Sequence, residues 1–556
     1  MKTHKILLAL LVLIGTFYLL DGRVEAATIT VNSTDDTVVY DGTCTLREAV
    51  IAADTDTSAG AGECAAGSGN DVINIPNGIY TLTSDLDLGG TSITLNGTWR
   101  MGTQIKGNGQ YGLHYDGGSG LRDLTLQHLM VTETTGLRST AAAAANVIID
   151  DTVWTANSIS TSEEGVINLD GYGGTTDFML SNSAIYANNG VEGCGVRARF
   201  MAVVTIASTQ IYANECSDSN SDDASVLYLQ GQEAIGLTEL DVYENVVSIA
   251  VSISSPDIDI GYTDVYDNIG GGISANVNGA LGAFSLHHSS VVNNNGDVAM
   301  LIGNDGGGYV VNVSNFTIAG NTSSYSAFTF FSDETNPISG TVKNVTVANN
   351  IRSGNLGFSV PAAMTVLSQS QIAPTFTLEN VLFAHNLDET TPRNCSTPAV
   401  PILFQPISIG HNLSDDDTCG DAFDQSSDIN NVNAHLGTLT QDNATWVVPL
   451  QASSPANDGG ATVAGMIDDQ RSTDRPQNGA FDIGAYEVLG AYTPDPGVGN
   501  GSNNGSNAGA AQTPVVPGVP DTGFQLLLNN PYVVVGLTSV SACALLCMSR
   551  RAGRNN

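Results

Sequence analysis

From about residue 71 onward, apolar and polar residues alternate in short runs. Glycine, asparagine or aspartate then breaks each run. Val203-Val204-Thr205-Ile206 and Ser225-Val226-Leu227-Tyr228-Leu229 are typical. A period of two belongs to strands with one face buried, and no helical period runs through this region. The pattern also recurs at longer range. Ser183-Ala184-Ile185-Tyr186-Ala187-Asn188 returns as Thr209-Gln210-Ile211-Tyr212-Ala213-Asn214, and further copies end at Asn245 and Asn268. Weaker copies end at Asn294, Asn321, Asn349 and Asn386, and an earlier one at Asn157. Successive asparagines lie 31, 26, 31, 23, 26, 27, 28 and 37 residues apart.

A period of this size, built from short β-branched strands, predicts a solenoid. One coil cannot bury its own apolar positions, so coils stack into one core with parallel sheets. About a dozen coils at about 4.8 Å each would make a rod on the order of 60 Å long. The recurring asparagine predicts an internal ladder through Asn188, Asn214, Asn245, Asn268, Asn294, Asn321 and Asn349. In it each amide bonds the equivalent turns above and below. Asparagine also tolerates the left-handed backbone of tight turns. Tyr186, Tyr212, Tyr243 and Tyr266 recur at equivalent positions. They read as side chains packed along the solenoid, with a glycan-stacking face as the alternative. From about Asp71 to Glu487 the chain resembles the right-handed parallel β-helix of the pectate-lyase-like superfamily, which implies an all-β fold.

Both ends of the repeat carry motifs. Cys44-Thr45-Leu46-Arg47-Glu48-Ala49 resembles the CSLREA motif that opens many bacterial secreted β-helix proteins, with Thr45 in place of serine. Thr45 and Glu48 form a capping box. Leu46, Ala49, Val50 and Ala53 share a helical face, so a short helix is predicted to plug the N-terminal end of the rod. Ser454-Pro455-Ala456-Asn457-Asp458-Gly459, Asp469-Gln470-Arg471, Arg475 and Asp482-Ile483-Gly484-Ala485-Tyr486-Glu487 resemble the terminal segment found with the same proteins. Arg471 and Arg475 lie among several carboxylates. They predict a charge-paired closing coil, with a catalytic arginine as the alternative.

The termini set the compartment. Lys2 and Lys5 precede an apolar run from Ile6 to Leu20, and Val24-Glu25-Ala26 supplies small residues for cleavage, so 1–26 reads as a secretory signal peptide. The expected order continues with an N-terminal cap (27–70), the β-helix (71–490) and a disordered stalk rich in Pro, Gly, Ser and Asn (491–518). Residues 519–556 follow. There Val519-Pro520-Asp521-Thr522-Gly523 resembles the LPxTG cell-wall sorting signal of Gram-positive surface proteins, with Val519 in place of leucine. The resemblance implies sortase cleavage between Thr522 and Gly523. An apolar run from Tyr532 to Met548 is long enough for a transmembrane helix, and Arg550, Arg551 and Arg554 after it would stay cytoplasmic. A retained membrane anchor is the alternative to wall linkage. Either way the protein is expected outside the cell, tethered at its C-terminus.

Charge narrows the partners. The 556 residues include 56 acidic and 18 basic side chains, a net charge of −38. Six of the basic residues fall in the leader or the tail. Nucleic acid is thereby excluded as a partner, as are anionic polymers held in a basic groove. An extracellular glycan, or a host or neighbouring cell surface, fits better. Cys543 and Cys547 lie in the apolar run. The other six cysteines are expected to pair as neighbours, Cys44–Cys64, Cys194–Cys216 and Cys395–Cys419, in an oxidising compartment.

Candidate chemistry is sparse. The polygalacturonase-like set of paired aspartates, Gly-His-Gly and Arg-x-Lys is missing, because no Arg-x-Lys occurs and Gly410-His411 is followed by Asn412. No catalytic residue is assigned. Asp150-Asp151, Asp222-Asp223 and Asp415-Asp416-Asp417 are carboxylate clusters, and two carboxylates from neighbouring coils would suit glycosidase chemistry. No cofactor is required. Calcium is possible at oxygen-rich loops such as Asn304-Asp305-Gly306 and Asp218 to Asp223. His287-His288, placed on a strand, should point to opposite faces. The leading expectation is a non-enzymatic, surface-anchored adhesin or carbohydrate-binding rod. The alternative is a cell-attached polysaccharide lyase or glycoside hydrolase.

Overall fold

The computed structural model describes residues 26–490 apart from 60–61, 116–121, 140–143, 161–164, 172–175, 218–223, 280, 306–307, 333–337, 355–359, 369–373 and 396–402. The leader, the stalk, the Val519–Gly523 motif, the apolar run and the basic tail lie outside these. So do Asp222, Asp223 and most of the two loops considered for calcium. Among the described residues no helix is long and apolar enough to cross a membrane. The described residues up to Val488 belong to one compact unit; the second, Leu489–Asn556, lies almost wholly outside the described residues.

The alternation becomes three parallel sheets wrapped around one core. The first stacks Thr28–Thr30, Asp71–Ile75, Ile93–Gly97, Arg122–Gln127, Ala144–Asp150 and Asp177–Ser181, each parallel to the next. The second stacks Gly78–Thr81, Thr103–Lys106, Met130–Thr132, Val153–Thr155 and Ala184–Tyr186. The third begins with Leu86–Asp87, Leu113–Tyr115, Leu137–Ser139 and Ile167–Asp170. Farther along, the strands run on round the corners. Gly193–Tyr212 spans 20 residues. It lends Val196–Arg199 to the third sheet, Val204–Ala207 to the first and Gln210–Tyr212 to the second. A straight strand of that length would far exceed one coil. The chain turns instead at Phe200 and Ser208, whose φ values are 56° and 46°.

That corner between the first and second sheets is highly regular. From His128 to His411, through Asp151, Asn182, Ser208, Glu239, Tyr262 and His288, one left-handed residue makes the bend, with φ between 46° and 59°. Inward positions carry the core. Ile149, Leu180, Ile206, Leu237, Ile260, Leu286 and Val313 align coil on coil and are at most 2% exposed. Each such side chain contributes roughly 1.5–3 kcal/mol by burial.

The asparagine ladder runs inside the bend after the second sheet. Asn188 donates from Nδ2 and from its backbone N to Asn214 Oδ1, at 2.9 and 3.1 Å, and also from Nδ2 to Trp154 O. The same pattern links Asn157, Asn188, Asn214, Asn245, Asn268, Asn294 and Asn321. The next rung is Asn350, and Asn349 is not in the ladder. Asn349 corresponds to Ala187 and Ala213, the left-handed residue just before each rung; its φ is 58° and it is exposed. In Asn349-Asn350 the sequence offers two asparagines, and the strand frame selects the second. The ladder ends through Asn386 on Asn394.

The N-terminal helix spans Leu46–Thr55, and Thr45 and Glu48 form both halves of the capping box. Leu46, Ala49, Val50, Ala52 and Ala53 enter the same core as Ile29 and Ile73. Glu48 is fully buried, and it accepts from the backbone of Val39 and Thr45. The three disulfides are Cys44–Cys64, Cys194–Cys216 and Cys395–Cys419, with Cα separations of 5.0, 5.2 and 4.9 Å.

The C-terminal segment differs from the closing coil expected of it. From Ala434 onward it leaves the coil path and lies as a strap over the outer face of the second sheet. Thr445 reaches Asp264, Gln470 reaches Thr317, and Ala485 reaches Thr346. Leu436, Leu439, Trp446 and Val448 pack on Val292, Ala319 and Ala348, which are small enough to admit them. The expected charge pairing is present inside the strap. Arg471 pairs with Asp469 and Asp442 and stacks 3.6 Å from the Tyr486 ring centre. Arg475 pairs with Glu487 at 2.9 Å and donates to Asp482 O and Gly484 O.

Candidate functional site

The strap divides the second sheet into a covered and an open part, and the chemistry gathers at the border. The outward row nearest the first bend reads Gln210, Asp241, Asp264, Ser290 and Thr317, one per coil. Asp264 lies under the strap at 4% exposure. Its Oδ1 accepts from Ser290 Oγ at 2.5 Å and from Thr445 Oγ1 at 3.0 Å. Burial pushes this carboxyl up to about 7, against those hydrogen bonds, and the Asp241 carboxylate on the next coil adds to the rise. Asp241, just outside the strap, is also raised, chiefly by burial, with Gln210 opposing. No cation figures among the groups that shift either carboxyl.

The parallel outward row is the tyrosine stack. Tyr186, Tyr212, Tyr243 and Tyr266 have ring centres 4.9, 4.9 and 4.8 Å apart and planes within 8°. Trp446 of the strap closes the row 5.5 Å from Tyr266. Rings spaced at one coil rise turn their faces to each other, so each inner ring offers solvent only its edge and hydroxyl. Stacking of a sugar on these faces is therefore blocked along the row, in keeping with the packed reading. Burial raises the Tyr212, Tyr243 and Tyr266 hydroxyls, which stay protonated at neutral pH.

The remaining sequence candidates scatter. Asp150 accepts from Ser181 and Asn182, while Asp151 occupies a bend and pairs with His128 at 2.9 Å. Asp415 pairs with His385 at 3.2 Å and accepts from Asn394, and Asp416 caps the turn that holds Cys419. A concavity of about 640 Å³ between these residues includes Asp417, Asn431 and Pro392. Lys106 and Lys343 each pair with one glutamate, Glu133 and Glu379. His287 and His288 do not diverge as expected, since their Nδ1 atoms lie 3.2 Å apart. His288 is a bend residue, so strand alternation stops there. Its Nε2 meets Asp468 of the strap at 3.1 Å. Among the described residues no group of three His, Cys, Asp or Glu is placed to hold a metal ion.

Sequence reasoning passed over Trp99. It stands 52% exposed beside Arg100 at the start of the first–second sheet corner. The available signal was the five residues between Gly97 and Thr103, where later coils turn in one.

No family model matches the chain, and no curated protein matches it. A solved structure, that of pectate lyase Pel9A, aligns over 84% of this chain and 97% of that one, at 14% identity and a TM-score of 0.33. A TM-score that low carries neither fold nor function across. The parallel β-solenoid rests on its own strand registers.

Proposed function

We propose that this is a surface-anchored, right-handed β-solenoid that binds an extracellular glycan or a neighbouring cell surface and does no chemistry on it. The observation that carries this reading is the sealing of Asp264. It is the more strongly perturbed of the two facing carboxyls, and the strap covers it. Acid–base cleavage of a glycosidic bond needs both carboxyls to reach the same sugar linkage. The two arginines of the terminal motif are spent on buried pairs within the strap. The helix Leu46–Thr55 acts as the N-terminal cap, shielding the first coil's edge. The leader, the stalk and the Val519–Gly523 motif fit export and sortase attachment through Thr522, with the apolar run holding the chain in the membrane until cleavage. No cofactor is required, although calcium remains compatible with the acidic loops.

The second reading is a cell-attached polysaccharide lyase or glycoside hydrolase. One observation favours it: Asp241 and Asp264 sit on adjacent coils with raised pKa values. The protein should be incubated, with calcium, with plant, algal and bacterial polysaccharides. Reducing ends, unsaturated products and co-sedimentation are measured. Retention without cleavage supports the binding rod. Cleavage that disappears in Asp241→Asn supports the enzyme.

A further inference from the structure

One early corner of the solenoid is far longer than those that follow it. From His128 to His411 the first and second sheets are joined by a single left-handed residue. Between Ile93–Gly97 and Thr103–Lys106 the same corner is a loop of five residues, Thr98 to Gly102. The loop leans along the solenoid axis. Arg100 Nη1 donates 3.0 Å to Asn182 O, and its Nε lies 3.6 Å from Asp151 Oδ1. Trp99, Arg100, Asp151, Asn182 and Ser208 line an open, shallow concavity of about 530 Å³.

The indole is held in place. A Cβ on Gly102 would come within 2.1 Å of Trp99 Nε1 and 2.5 Å of Asn77 Oδ1, so glycine is what lets the ring lie over the backbone. A large ring fixed at 52% exposure is costly to leave bare and well suited to lie against the C–H face of a sugar. The polar groups around it are complementary. Arg100 contributes donors, while among the described residues Asn182 Oδ1 and Asp151 Oδ1 accept no hydrogen bond, Asp151 Oδ1 being met only by Arg100 Nε at 3.6 Å. Arg100 and Asp151 cancel in charge. Beyond Ser208 lies Glu239, bonded to it at 2.6 Å, and one coil farther Tyr262 stands 45% exposed, stacked on His288. The row from Trp99 to Tyr262 is thus bracketed by aromatics. It is neutral at its centre and acidic at its flank.

We propose that this loop and the row of bend residues beside it form the binding site for an uncharged oligosaccharide, with Trp99 as the stacking platform and Arg100, Asp151 and Asn182 as partners for its hydroxyls. The inference rests on the glycan-binding reading above and gives that reading its site and ligand class. Polyuronates and sulfated glycans are disfavoured by Glu239, Asp150 and the net charge of −38.

The test is affinity electrophoresis of the protein through gels containing β-glucan, galactomannan, arabinoxylan or, as the acidic probe, polygalacturonate. Retardation by at least one neutral polymer is expected, unchanged between about 50 mM and 500 mM NaCl. Trp99→Ala should weaken it at least tenfold and Gly102→Ala, which keeps the indole but displaces it, severalfold. Tyr243→Phe should leave it unchanged. Melting temperature verifies that each variant is folded. Retardation that persists within twofold in Trp99→Ala overturns the site and leaves the binding rod standing. Retardation by polygalacturonate alone overturns the ligand class. Retardation by none of the four overturns the site and weighs equally against the glycan-binding reading.

Discussion

Asp264 shows how one side chain couples the strap to pH. Its folded pKa, about 7, lies above the 3.8 of an exposed aspartate. The folded protein therefore keeps a proton that the unfolded chain has lost between about pH 4 and pH 7. This contribution is fully present below about pH 4 and is lost as pH rises through about 7. Roughly three pH units at 1.36 kcal/mol each bound the effect at about 4 kcal/mol, less whatever the strap recovers by lifting. Asp264→Asn keeps a neutral acceptor for Ser290 and Thr445 without the charge. It should raise the melting temperature at pH 8 and flatten the wild-type decline between pH 4 and 7. Equal pH profiles for the two proteins would remove Asp264 as the cause. Arg475 is the opposite case, a charge that is buried because it is paired. Arg475→Met strands Glu487 at 1% side-chain exposure and should cost about 3–5 kcal/mol in urea unfolding. Adding Glu487→Leu should recover most of that loss, because an apolar pair replaces the ionic one.

At the scale of the element, the repeat was legible wherever one side chain does one job per coil. The Ile-Tyr-Ala-Asn copies announce the inward aliphatic residue, the outward ring, the left-handed residue and the ladder rung in that order. Cysteines about one coil apart were equally readable. The frame failed where the chain offers two candidates, as at Asn349-Asn350, or where a bend interrupts alternation, as at His287-His288. The strap's internal charge pairing was legible, but its path over the second sheet was not. Its contacts with Asp264 and Thr317 span 181 and 153 residues, and no local pattern encodes such a distance. Nor could composition show that Thr98 to Gly102 is an inserted loop before the other corners were known. The corrected rung makes a sharp comparison. Asn350→Ala removes the acceptor for Asn321 N and Nδ2, both buried, and should cost more than about 2 kcal/mol. Asn349→Gly removes an exposed side chain at a left-handed position and should change stability by no more than about 0.5 kcal/mol. The reverse order would restore Asn349 to the ladder.

Across the whole solenoid, each coil touches only its neighbours, so stability should vary along the axis instead of being shared. The strap breaks that locality on one side. It is bonded to coils from Asp264 through His288, Thr317 and Thr346 to His411, and so ties the C-terminal half into one cooperative block. Among the described residues the coils from Asp71 to about Tyr243 have no contact with the strap and are held by ladder, core, the Arg100 loop that reaches Asp151 and Asn182, and the Cys194–Cys216 bridge. Native-state amide exchange should therefore divide in two. Strand amides between Leu281 and Ala384 should open together, with one free energy and one denaturant slope, whereas those between Asp71 and Ser181 should open over a range of lower values. Loosening the strap with Arg475→Met should lower the common value of the first group and leave the second unchanged. If protection fell equally from Asp71 to Ala384, the solenoid would be a single cooperative unit and the strap only its surface cover. A fall confined to the strapped coils would give the terminal motif a mechanical role: to stiffen the C-terminal half of the solenoid, while the Trp99 loop stands on the half that is free.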